Sequence, residues 1–347
     1  MQSPSSDLST HSRKILWGAK IEQAPPAVTY EEAMAEDDHG LFKSLTNVVS
    51  DGIPVSRVAL RLAQNKFGFT LIHGVPATPE ATEKLIERIG FIRETQYGRF
   101  WDFTSDLAKG DMAYTTLALG AHTDTTYYTD PCGLQVFHLL SHTDGTGGAS
   151  LLVDGFYAAS ILKELHPEAY ELLSSVHVPA HAAGEPSAIY TPHPSTGYPV
   201  LSHDKVTGEL TQVRWNNDDR SVMNRLDPHV VDQWYDAIRA WNKCLTSPDS
   251  QFWLQLQPGT VVGTYSLSTH LCLSLYHTLS VIDNHRVLHG RSAFDGKRRM
   301  CGAYVGVDEY RSRLAVLREK FAPDAVEKAT RDTAAVVNGR SIWNEAL

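Results

Sequence analysis

The four cysteines, Cys132, Cys244, Cys272 and Cys301, include no CxxC spacing, so neither a structural zinc site nor a disulfide framework is expected. Basic residues are in deficit, 31 Lys and Arg against 40 Asp and Glu, for a net charge of −9. No basic stripe stands out, which argues against phosphate-backbone binding and removes nucleic acid from the expected partners. Long apolar runs are missing too. The longest uncharged stretch, Ser250 to Ile282, is full of Gln, Ser, Thr and His and does not read as a membrane span. Met1 to Lys14 lacks the apolar core of a signal peptide, and its Ser-rich start is interrupted by Asp7, making it a poor mitochondrial presequence. The chain therefore reads as intracellular, mitochondrial or cytoplasmic, with no membrane partner.

With 347 residues the chain can bury a large core, as one sizeable domain with helical additions or as two. No internal repeat is apparent. Up to about Tyr30 it carries Pro and Ser without periodicity, so residues 1–29 read as a tail. Helices are expected over Tyr30–Val49, Pro54–Lys66 and, after the Thr78-Pro79-Glu80 cap, up to Ile89. Gly68–Gly74 reads as a strand, and the centre is β-rich: Leu117–Tyr128, Gly133–Leu140, Ala149–Val153, Pro199–His203 and Leu210–Trp215, with a hairpin turn at Lys205–Gly208. Amphipathic helices are expected at Gly155–Leu173 and Pro228–Cys244, and a helical tail after Val307, with 326–347 as its C-terminal end. Many strands of mixed length with helices outside suggest a mainly β chain, a double-stranded β-helix or jelly roll with its metal site in the barrel mouth.

The densest chemical signal is Gly120-Ala121-His122-Thr123-Asp124-Thr125-Thr126-Tyr127-Tyr128. On a strand, period two would put His122 and Asp124 on one face, giving two of the three ligands of the facial triad that holds non-heme Fe(II) with open positions. The third candidate is His289 in Asn284-His285-Arg286-Val287-Leu288-His289-Gly290-Arg291, where Gly290 allows close backbone approach. Arg298 follows nine residues later, and a guanidinium binds a buried carboxylate through two parallel hydrogen bonds. Arg299 competes for that role. Among 16 histidines a chance HxD is easily found, so the conjunction carries the inference: HxD, a late His and an Arg shortly after describe a 2-oxoglutarate-dependent oxygenase.

The stretches Tyr97–Asp106, His122–Tyr128, Asp130–His138, Gly147–Phe156 and Asn284–Arg291 together resemble the γ-butyrobetaine/trimethyllysine hydroxylase family of Fe(II)/2-oxoglutarate oxygenases, in its trimethyllysine branch and with a fungal source expected. The resemblance runs from about Trp17 to about Arg318. It implies that His122, Asp124 and His289 bind Fe(II), that Arg298 takes the distal carboxylate of 2-oxoglutarate, and that Ser150 offers it a hydroxyl, the plain alternative being a strand hydroxyl. It implies trimethyllysine and O2 as substrates, hydroxylation at C3 as the first step of carnitine biosynthesis, ascorbate as reductant, and an oxygenase domain over 30–325. A homodimer is compatible with it.

A quaternary trimethylammonium cannot donate a strong hydrogen bond, so a site selecting it uses aromatic faces. Tyr97, Trp101, Tyr114 and Tyr304 match family positions that form this cage, although any one aromatic is more often core. Asp111 sits where the butyrobetaine enzymes carry a neutral Asn; a carboxylate there would attract an α-ammonium and repel a bare carboxylate. Asn216 and Asn217 suit either a substrate carboxylate or a turn. Three readings stay open beside the principal one: γ-butyrobetaine dioxygenase, a catalytically impaired isoform, and a non-catalytic jelly roll that reads methylated lysine.

Two departures from the family pattern matter. Family members usually begin with a small zinc-binding module, and no Cys precedes Cys132, so 1–29 is expected to be a remnant of it. Second, the family runs Leu256–Val262 almost directly into Ile282-Asp283-Asn284-His285, whereas here eighteen uncharged residues, 263–280, intervene. Their Gly-Thr start and Ser/Leu-rich body suit a retained intron; a surface loop is the alternative. An insert here is expected to interrupt the strand that delivers His289 and to weaken iron binding.

Overall fold

The computed structural model describes residues 14–48, 67–105, 115–182, 197–256 and 278–321. The helix expected at Pro54–Lys66, the tail at 326–347, Asp111, Tyr114 and residues 263–277 lie outside the described residues.

Thirteen strands and seven α-helices make up the described chain. In order the strands are β1 (Ala27–Thr29), β2 (Phe69–His73), β3 (Ile92–Arg93), β4 (Trp101–Thr104), β5 (Leu119–His122), β6 (Leu134–Thr143), β7 (Ser150–Asp154), β8 (Leu201–His203), β9 (Leu210–Val213), β10 (Gln251–Leu254), β11 (Leu279–Asp283), β12 (Val287–Arg291) and β13 (Lys297–Val305). The helices are α1 (Tyr30–Met34), α2 (His39–Val48), α3 (Pro79–Ile89), α4 (Gly155–Leu165), α5 (Pro167–Ser175), α6 (Pro228–Thr246) and α7 (Val307–Phe321). A larger sheet runs β1-β2-β11-β6-β13-β3 with β4 also on β13, and a smaller one runs β10-β7-β12-β5. The β8-β9 hairpin stands apart. The chain is a double-stranded β-helix, mainly β with peripheral helices.

Alternation along the strands divides the core. In β11, Leu279 and Val281 face the helical layer of α2, α3 and α7, while Ile282 enters the space between the two sheets beside Phe69, Leu152 and Val287. The smaller sheet is backed by α4, α5 and α6, whose Trp234 and Trp241 are fully buried. Local chemistry sets the helix ends. Thr78 accepts from Ala81 N ahead of Pro79, as its sequence predicts.

Several expectations are corrected. The helix expected over Tyr30–Val49 is two helices, because Asp38 adopts a left-handed φ of 64° between them. The helix expected over Gly155–Leu173 divides at His166, where Pro167 cannot continue the preceding helix. β10 forms inside the uncharged stretch, a strand not foreseen there.

Residues 14–29 are not a loose tail. Trp17 is buried between the sheets, β1 joins β2 in parallel, and Trp17 N donates to Asp154 Oδ2 at 3.1 Å. Nor is the strand delivering His289 interrupted. β12 pairs with β7 along its whole length and with β5 at His289 and Arg291, the register shifting between those two, and Leu279 and Ser280, from the tail of the expected insert, pair with both β2 and β6.

Candidate metal and cosubstrate site

His122 ends β5 and His289 lies directly opposite it on β12 as a cross-strand pair, which brings the ring centroids to 4.3 Å. The approach depends on Gly290: a Cβ there would lie 2.5 Å from the Leu119 carbonyl oxygen. The strand expected to carry both His122 and Asp124 stops at His122. Asp124 sits in the following turn, where Thr125 takes a φ of 56° and its hydroxyl accepts from Cys132 N at 2.9 Å. A turn, not strand period, therefore aims the carboxylate at the two imidazoles.

Asp124 Oδ1 is 3.3 Å from His122 Nε2 and 3.8 Å from His289 Nε2, and the ligand atoms of all three residues lie within 4.8 Å of one another. His122 Nδ1 bonds the Gly120 carbonyl at 2.8 Å, a contact that assigns the proton to Nδ1 and leaves the Nε2 lone pair facing the cluster. Burial holds the His289 pKa down to about 3, so that ring is neutral and able to ligate. Burial also opposes protonation of His122, but the hydrogen bond and charge of Asp124 outweigh it and raise its pKa. For Asp124 the imidazoles overcome burial and hold the carboxyl well below the usual range. Two neutral-capable imidazoles and one ionised carboxylate form a donor set suited to Fe(II).

Arg298 lies on β13 with its side chain in the same cavity, 3% exposed, and its Nε has no hydrogen-bond partner among the described residues. Burial, then the nearby Arg291, lower its pKa to about 10. A buried cation in this state fits an anionic ligand. Arg299, one residue on, points to the other face and pairs with Asp102. Gly148, at φ 68°, brings its loop against Arg298; a Cβ there would sit 3.2 Å from Nε.

The cavity of about 900 Å3 is lined by His122, Asp124, His289, Arg298 and Ser150, together with Tyr97, Trp101, Tyr304, Asn216 and Asn217. Trp101 packs on Phe137, whose ring in turn lies 4.9 Å from His289. The Tyr304 hydroxyl donates to Asp124 Oδ2. Asn216 Oδ1 accepts from Asp218 N, and Asn217 Oδ1 from Arg220, so both amides also serve the local turn.

Two residues of the site went unforeseen. Asn284, 1% exposed, accepts from Asp124 N and donates to the Asp124 and Cys132 carbonyls, stapling the ligand turn to the β11-β12 connection. Gln135 donates to Asp124 Oδ2. Its signal was a polar side chain, one of two with His138, in the otherwise apolar run Leu134–Leu140.

A double-stranded β-helix with a His, Asp, His cluster beside a buried arginine defines the class of non-heme metal oxygenase folds. Residues 44–264 match the model described as Taurine catabolism dioxygenase TauD, TfdA family, and the chain belongs to that family. It is 41% identical over 331 residues to trimethyllysine dioxygenase of Neurospora crassa, covering 86% of this chain and 62% of that one. It is 41% identical over 322 residues to trimethyllysine dioxygenase of Meyerozyma guilliermondii, covering 91% and 72%. The chain thus spans about three fifths of the length of the Neurospora protein. Among solved structures, that of AAD-2 in complex with Mn(II) and N-oxalylglycine shares the fold, with a TM-score of 0.50 at 14% identity over 77% of this chain and 94% of that one.

Proposed function

We propose that this chain is an Fe(II)- and 2-oxoglutarate-dependent dioxygenase that hydroxylates N6,N6,N6-trimethyllysine at C3. The observation that carries the proposal is the convergence of His122, Asp124, His289 and the buried Arg298 on one cavity that also holds Tyr97 and Trp101. The likeness to the two fungal trimethyllysine dioxygenases supports the substrate.

In this reading His122, Asp124 and His289 hold the metal. Arg298, helped by the Ser150 hydroxyl, anchors the distal carboxylate of 2-oxoglutarate through paired hydrogen bonds. Iron and 2-oxoglutarate supply the activation of O2, with release of succinate and CO2, and ascorbate keeps the metal ferrous. The chain contributes orientation and exclusion of water. Tyr97 and Trp101 receive the trimethylammonium on their ring faces, with Tyr114 and Tyr304 completing the cage. Asp111 pairs with the α-ammonium, and Asn216 and Asn217 donate to the α-carboxylate. The enzyme works inside the cell, as a monomer or a homodimer.

γ-Butyrobetaine is the competing substrate, and Asp111 is the residue that disfavours it. Parallel turnover assays with the two compounds decide between them. Succinate release that depends on trimethyllysine and exceeds release with γ-butyrobetaine is expected. Greater release with γ-butyrobetaine would overturn the substrate, and no stimulation by either would overturn the activity.

A further inference from the structure

Tyr304 brings both a ring and a hydroxyl to the cavity, and the two have separate jobs. The hydroxyl donates to Asp124 Oδ2 at 2.7 Å, and Gln135 Nε2 donates to the same oxygen. Tyr304 and Gln135 are register partners on β13 and β6. Two neighbouring strands of the larger sheet thus reach across to one oxygen of a carboxylate carried by the smaller sheet's β5 turn. Both side chains are almost inaccessible, at 5% and 2% exposure, so water competes weakly for these bonds. Asp124 Oδ1 faces the two imidazoles instead.

We propose that Tyr304 and Gln135 are positioning residues that commit Oδ2 of Asp124 to the protein and reserve Oδ1 for the metal. The inference rests on the metal reading above. A carboxylate bound through both oxygens would consume one of the open positions, whereas a 2-oxo acid needs two of them and O2 needs another. Neutral donors on Oδ2 prevent that second bond. A phenol is protonated at neutral pH, so the Tyr304 hydroxyl serves Oδ2 as a donor. The main chain of Asp124 is fixed independently by Asn284, so the side-chain donors set only the carboxylate's rotation.

Tyr304→Phe keeps the ring and deletes the hydroxyl. Titration with Mn(II), followed by the resonance signal of the free ion, is expected to show roughly 10–100-fold weaker binding. KM for trimethyllysine at saturating Fe(II) should stay near the parent value, because the aromatic face remains. Gln135→Met should weaken Mn(II) binding in the same direction. Tyr97→Phe, whose hydroxyl lies 3.4 Å from that of Tyr127, should bind Mn(II) as the parent does. Parental Mn(II) affinity in Tyr304→Phe, with KM raised in Tyr304→Leu, would overturn the proposal and leave Tyr304 as a ring alone. Failure of the parent protein to bind Mn(II) would overturn the metal reading as well.

Discussion

Replacing Arg286 with Met should unfold this protein far more readily than its distance from the cavity suggests. Arg286 and Asp154 form an ion pair whose side chains are both 0% exposed. The guanidinium donates through Nε to Asp154 Oδ1 at 3.0 Å and through Nη2 to Oδ2 at 2.8 Å, and Nη2 also reaches the Ile15 carbonyl. Asp154 in turn accepts from Trp17 N and, as the cap of α4, from Phe156 N. The pair therefore ties the N-terminal segment, α4 and the start of β12 together. Arg286→Met leaves a buried carboxylate with backbone donors only, at a cost of about 3–5 kcal/mol. With a urea m-value of about 3 kcal/mol/M, the unfolding midpoint should fall by about 1–2 M. Pairing it with Asp154→Leu removes the stranded charge, so the double variant should be less destabilised than the sum of the singles, keeping a cap loss of about 1 kcal/mol. Urea unfolding followed by tryptophan fluorescence measures all four proteins. Strictly additive effects, or a midpoint for Arg286→Met within about 0.3 M of the parent on the same m-value scale, would refute the reasoning.

Other outcomes follow from the same geometry. Arg298→Lys should raise KM for 2-oxoglutarate, since an ammonium cannot make the paired bonds, while leaving Mn(II) affinity unchanged; a change in metal binding alone would contradict this. His285 is half-buried against the Pro131 carbonyl, and desolvation pushes its pKa down to about 4. The unfolded chain takes up that proton near pH 6.5 and the folded chain does not, so stability falls as pH drops from 6.5 towards 4. In His285→Gln the loss between pH 7 and 5 should shrink by about 2 kcal/mol, and an unchanged loss would refute the assignment. Asp111→Asn should shift substrate preference towards γ-butyrobetaine in paired turnover assays, and an unmoved ratio would remove Asp111 from specificity. If 263–280 is a retained intron, some transcripts will lack its codons. The protein shortened by 263–280 should bind Mn(II) as the full chain does, because β12, which carries His289, lies outside that segment and pairs with β7 over Val287–Arg291; a changed affinity would contradict this.

Legibility from sequence followed how local each signal is. The Thr78-Pro79 cap and the Pro167 break are short-range chemistry, although the break was overlooked because the apolar period runs through it. His122 and His289 were readable as residues, and the cross-strand pairing joins them. Asp124 was identified for an incomplete reason: the strand ends before it, and the left-handed Thr125 does the aiming. Gln135 and Asn284 meet Asp124 across 11 and 160 positions of sequence, and that pairing is not encoded in any local pattern. The same holds for Trp17, whose segment reads as featureless until the inter-sheet core that buries it is assembled.

The central claim is tested most directly by mass spectrometry of trimethyllysine incubated with this protein, Fe(II), 2-oxoglutarate and ascorbate under isotopically labelled O2. The account predicts a product carrying one labelled oxygen at C3, with succinate formed alongside, and no product from His289→Ala. Unmodified trimethyllysine from the metal-loaded parent protein would contradict it.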